Sequence, residues 1–68
     1  MKYAIAYTDK NGNGFNELPW IEGFFDTVFD AQTFINETPV LYNPCIFTLP
    51  DLITEQITWD YVHQHKII

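Results

Sequence analysis

Gly23-Phe24-Phe25-Asp26-Thr27-Val28-Phe29-Asp30-Ala31-Gln32-Thr33-Phe34-Ile35-Asn36-Glu37 changes its hydrophobic period partway along, and that change decides the fold class. From Phe24 to Phe29 the period is two, with Phe25, Thr27 and Phe29 on one face and Phe24, Asp26 and Val28 on the other, which reads as a strand. Asp30 reads as an N-cap. After it, Ala31, Phe34 and Ile35 fall at i, i+3 and i+4, the narrow apolar stripe of a helix lying on a sheet. Pro39 ends that helix, because the residue before a proline is pushed toward extended geometry.

Upstream, Tyr3-Ala4-Ile5-Ala6-Tyr7 alternates large and small residues, a first strand with Tyr3, Ile5 and Tyr7 on one face. Two Asn-Gly pairs follow in Asn11-Gly12-Asn13-Gly14, where the chain is expected to reverse, and Phe15 to Trp20 then runs back extended. Downstream, Asn43-Pro44 signals a turn and Cys45-Ile46-Phe47-Thr48-Leu49 a further strand. Ile57, Trp59, Tyr61 and His63 alternate with Thr58, Asp60, Val62 and Gln64, which predicts a last strand. A helix from Asp51 through Gln64 competes with it, since Leu52, Ile53 and Ile57 also fit a helical stripe. The expected fold is one small α+β domain over residues 1–68: an antiparallel sheet of three to four strands, in the order β-β-α-β-β, with one short helix on one face.

The 68 residues carry nine carboxylates against three lysines and no arginine, a net charge of −6. Arginine is the usual grip for phosphates, so direct binding of nucleic acid or anionic lipid is disfavoured, and a basic protein surface is the natural counterpart. The acids are interleaved with apolar residues, as in a folded domain with an acidic surface. Cys45 is the only cysteine. A small secreted domain leans on disulfides, so a cytoplasmic location is expected. No apolar run approaches the roughly 18 residues of a membrane span, and the early polar residues after Tyr7 do not resemble a signal peptide.

Motifs for chemistry are thin. Asp9-Lys10-Asn11-Gly12-Asn13-Gly14 matches the opening of a calcium-binding loop, but the twelfth position, where a bidentate Glu belongs, is Trp20. A hairpin turn explains the same residues. His63 and His65 would point the same way on a strand, with no third ligand at a recognisable spacing. Cys45 opens an apolar run and reads as a small core residue. Serine is absent altogether. Asp26 and Asp30 flank the strand-to-helix junction, where a cap and a solvent-facing strand residue account for them. The residues therefore predict a non-enzymatic protein with no cofactor and no metal.

Two readings of function remain. In the first, the chain is an acidic binding protein that occludes a basic surface on a protein partner, of the sort nucleic-acid-binding enzymes carry. In size and charge balance it resembles the small acidic inhibitors encoded by phages and mobile elements, a likeness of composition that involves no motif. Mimicry of a whole duplex is excluded by density. A domain spanning roughly 28 Å faces about 16 phosphates over that length of DNA, more than nine carboxylates supply. A local patch suffices, and its expected members are Glu22, Asp26, Asp30 and Glu37, with Trp20 and Trp59 as aromatic anchors. In the second reading the chain is a homodimer or assembly subunit, joined through exposed sheet edges, and its acidity serves solubility.

Overall fold

The computed structural model describes residues 2–14, 17–49 and 56–68. The order is β1 (Lys2–Thr8), β2 (Trp20–Phe25), α1 (Val28–Glu37), β3 (Tyr42–Leu49) and α2 (Trp59–His65). The three strands form one antiparallel sheet in the order β2-β1-β3. The class is α+β, as the sequence indicates, but the element order is β-β-α-β-α and each face of the sheet carries a helix.

That second helix replaces the expected fourth strand. The period-two pattern from Ile57 to Gln64 gives way because Thr58 caps a helix: its Oγ1 accepts from the Tyr61 N–H at 3.2 Å. Asp60 in the first turn and His63 and His65 in the last suit the helix dipole. The competing helix was expected from Asp51. Residues 51–55 lie outside the described residues, and the helix observed begins at Trp59. Seven residues are too few to hold a helix without packing. The docking surface is the second face of the sheet, where Ala4 and Ala6 of β1 present methyl groups beside Phe47 and Leu49 of β3. Fully buried Val62 completes this cluster, with Ile57, Trp59 and Tyr61 around it. The small alanine side chains let a helix approach the sheet. The Tyr61 ring meets Phe47 edge-on, with centroids 6.1 Å apart.

On the opposite face, α1 covers Ile5 and Ile46, which pair across β1 and β3, together with Ala31, Leu41, Phe34 and Ile35. Phe25 and Phe34 pack with ring centroids 5.5 Å apart. Being apolar on both faces, the central strand β1 buries Ala4, Ile5 and Ala6 completely.

The strand expected over Phe24–Phe29 ends earlier, and its registration shifts. β2 runs from Trp20 to Phe25, and Thr27, not Asp30, is the N-cap of α1. Thr27 Oγ1 accepts from the Asp30 N–H at 3.0 Å. Thr27-Val28-Phe29-Asp30 carries the Thr-x-x-acid spacing of a helix start, which outweighs the strand alternation. Val28 and Phe29 are therefore helical. The helix stops at Glu37, as Pro39 requires. The extended run expected over Phe15–Trp20 is also displaced: Phe15 and Asn16 lie outside the described residues, Glu17 takes a positive φ of 65°, Leu18 makes only an isolated bridge, and the ladder with β1 starts at Trp20.

Both outer strands carry a bulge at a residue with positive φ. On β2, Tyr3 pairs with Phe25 and Ile5 with Glu22, so one extra residue is absorbed at Gly23 (φ 73°). On β3, which begins earlier than expected, Ala6 pairs with Cys45 and Thr8 with Tyr42. The extra residue there falls at Asn43 (φ 52°), whose Nδ2 donates to Thr8 Oγ1 at 2.9 Å. Pro44 has no N–H, and an outer strand tolerates it.

Candidate functional site

The two strand edges of the sheet end differently. Along β3, Lys66 bridges to Phe47, Ile46 N–H donates to the Ile68 carbonyl at 3.0 Å, and Ile67 N–H donates to the Ile46 carbonyl at 2.8 Å. The last residues thus shield that edge. β2 forms the other edge. Its side chains divide between the two faces: Glu22 and Trp20, paired with Ile5 and Tyr7, share the α1 face. Ile21, paired with Ala6, lies on the α2 face. α2 packs on β3 and leaves this side of β2 uncovered, so Ile21 is 37% exposed and Phe24 73% exposed.

At the end of β2 the chain turns through Asp26 and Thr27 into α1. Phe29, in the first turn of α1, is 76% exposed. The two most exposed large apolar side chains among the described residues, Phe24 and Phe29, thus flank one turn. That turn holds Asp26, and Asp30 follows Phe29 directly. Asp26 accepts from the Lys2 ammonium, the one ion pair among the described residues. That hydrogen bond, and then the charge of Lys2, hold its carboxyl below the usual range. Among the described residues no cation pairs with Glu22. Its charge adds to burial in pushing the Tyr7 hydroxyl upward.

The expected site residues are therefore brought together in part. Glu22, Asp26 and Asp30 lie along one continuous stretch of surface chain, from the middle of β2 to the first turn of α1. Trp20 opens the same strand at its far end. Glu37 sits seven residues beyond Asp30, about 10 Å further along the helix axis but on nearly the same side. Trp59 lies across the sheet, packed against the α2 cluster with its ring beside His63, which removes it from the acidic stretch. Phe24 and Phe29 are the members that sequence reasoning misses. The period-two pattern places both on one strand, on opposite faces, and the Thr27 cap is the signal that would have placed Phe29 in a helix and rotated it outward.

The other constellations resolve structurally. Asp9 Oδ1 accepts from the N–H groups of Asn11 (2.8 Å) and Asn13 (3.0 Å), and Gly12 takes φ 82°. The carboxylate braces a turn. His63 and His65 stand on a helix, where a spacing of two points them apart. His65 stacks on Tyr61 at a centroid distance of 4.0 Å, its Nδ1 2.9 Å from the Tyr61 carbonyl. Cys45 is half-buried against the α2 cluster. Among the described residues no three His, Cys, Asp or Glu side chains gather as a metal site, and no helix is long and apolar enough to cross a membrane. Comparison with protein-family models, curated proteins and solved structures finds no match.

Proposed function

We propose that this chain is a small non-enzymatic binding protein that occludes a basic surface of a protein partner, with the β2–α1 junction as its contact face. One observation carries the reading. Phe24 and Phe29 are 73% and 76% exposed on either side of the turn that holds Asp26, with Asp30 directly after Phe29, whereas every other aromatic side chain among the described residues is less than half exposed. Exposed aromatics amid charge are the usual composition of a hot spot with a polar rim. The carboxylates steer a basic partner to the junction and the two rings supply the desolvated contact. The partner is a basic protein, such as a nucleic-acid-binding enzyme, and the action is that of an inhibitor of the phage or mobile-element kind. The patch is local: a 31 Å molecule faces about 18 phosphates over that length of duplex, so the carboxylates serve as a docking rim.

The test is affinity for a captured partner. Replacing Glu22, Asp26, Asp30 and Glu37 by Gln or Asn lowers affinity at least ten-fold at 50 mM salt and flattens its salt dependence. Replacing Phe24 and Phe29 by Ser lowers affinity to a similar extent at every salt concentration. Both variants keep the wild-type melting temperature within a few degrees, since all six side chains lie at the surface or near it. Unchanged affinity in the charge variant would defeat the proposal.

A further inference from the structure

Resting on the basic-partner reading, we infer that the partner is held by strand addition: an extended segment alternating basic and apolar side chains pairs with the outer edge of β2 along residues 21–25. The asymmetry of the sheet points there. The β3 edge already carries a backbone partner in residues 66–68, which pair with Ile46 and Phe47, whereas β2 is a terminal strand of the sheet. A strand added at β2 would place alternate side chains on the two faces. On the α2 face its neighbours are Ile21 and Phe24, which neither of the two described helices covers, so apolar residues fit there. On the α1 face its neighbours are Glu22 and Phe25, which packs down onto Phe34, and Asp26 beyond the strand end is already paired with Lys2, so a lysine or arginine fits opposite Glu22.

A second copy of the chain fits this edge poorly. An antiparallel pairing of β2 with itself centred on Glu22 sets that carboxylate opposite its copy. Centred on Phe24, it sets Glu22 opposite Asp26. Centred on Gly23, it stacks two bulges. Like charges directly opposed are destabilising, and each chain carries a net −6. The edge therefore selects a strand of opposite charge.

The experiment uses the full chain and two synthetic probes: an eight-residue peptide alternating Lys and Val, and the same peptide N-methylated at every residue. N-methylation keeps side chains and charge but removes the backbone donors. Binding, amide exchange and chemical shifts are read by NMR at 50 and 500 mM salt, with sedimentation of the chain alone. The expected result is salt-sensitive binding of the unmodified peptide, at least ten-fold slower exchange at alternate amides within residues 21–25, and at least ten-fold weaker binding of the methylated peptide. Equal, salt-sensitive binding of both peptides would overturn strand addition and leave the basic-partner reading standing. Protection at the β3 edge, or a stable dimer of the chain alone, would also overturn it. Failure of both peptides to bind at 50 mM salt would count against strand addition and the basic-partner reading together.

Discussion

Val62→Ala separates the two-helix architecture from a sheet with one open face. Val62 is fully buried where α2 meets Ala4, Ala6, Phe47 and Leu49. The substitution removes two carbons, about 1.6 kcal/mol of transfer free energy at about 0.8 kcal/mol per methylene. A residual void of about 40 Å³, at about 24 cal/mol per Å³, adds about 1 kcal/mol. The expected destabilisation is thus about 2.5 kcal/mol. In a domain this small each kcal/mol moves the midpoint by about 4–8 °C, so a thermal melt followed by circular dichroism should shift down by about 10–20 °C. Gln64→Ala, at an exposed position of the same helix, should shift it by no more than a few degrees. A drop below about 3 °C for Val62→Ala would refute the packing of α2 on the sheet. The consequence is also functional: with α2 absent from that face, the exposed apolar surface would extend from Ile21 and Phe24 across the whole sheet, and the junction would lose its claim as the contact face.

Two further predictions concern α1 and the pH response. Thr27→Ala removes the acceptor of the Asp30 N–H and should cost about 1 kcal/mol, read as a lower urea midpoint at constant m-value. Asp30→Asn should cost less, because Thr27 supplies the cap. Tyr7 has its hydroxyl pushed above its ordinary value, first by burial and then by Glu22. Its neutral form is therefore favoured in the fold. The stability it contributes is fully present below the unfolded value of about 10 and is lost as pH rises through the higher folded one. Tyr7→Phe should flatten the alkaline loss of stability and remove a late-titrating component from the tyrosinate absorbance.

The sequence makes some elements plain and hides others for identifiable reasons. Strand β1 is legible because Tyr3, Ile5 and Tyr7 alternate with alanines, and the end of α1 is legible because Pro39 forbids continuation. The start of α1 is ambiguous, since Thr27 and Asp30 are both good caps three residues apart, and only the earlier one turns Phe29 outward. The last element is harder. Ile57 to Gln64 satisfies a strand pattern locally, and the choice of helix is made by tertiary structure: a sheet whose second face is Ala4, Ala6, Phe47 and Leu49 must be covered. The absence of polar residues at Ala4 and Ala6 carries that information. Of the candidate site, the acids along β2 and the first turn of α1 follow from the charge pattern. The anchors do not, because an exposed phenylalanine and a core phenylalanine look alike until the register of the helix, for Phe29, and of the bulged strand, for Phe24, is fixed.

The most direct measurement is capture from a cell lysate by the immobilised wild-type chain and by a variant with Phe24→Ser and Phe29→Ser, each at 50 and 500 mM salt. The account predicts that the wild type retains a basic protein at low salt, releases it at high salt, and that the variant retains little at either. Equal retention by wild type and variant, or a chain that retains nothing and sediments as a dimer, would contradict it.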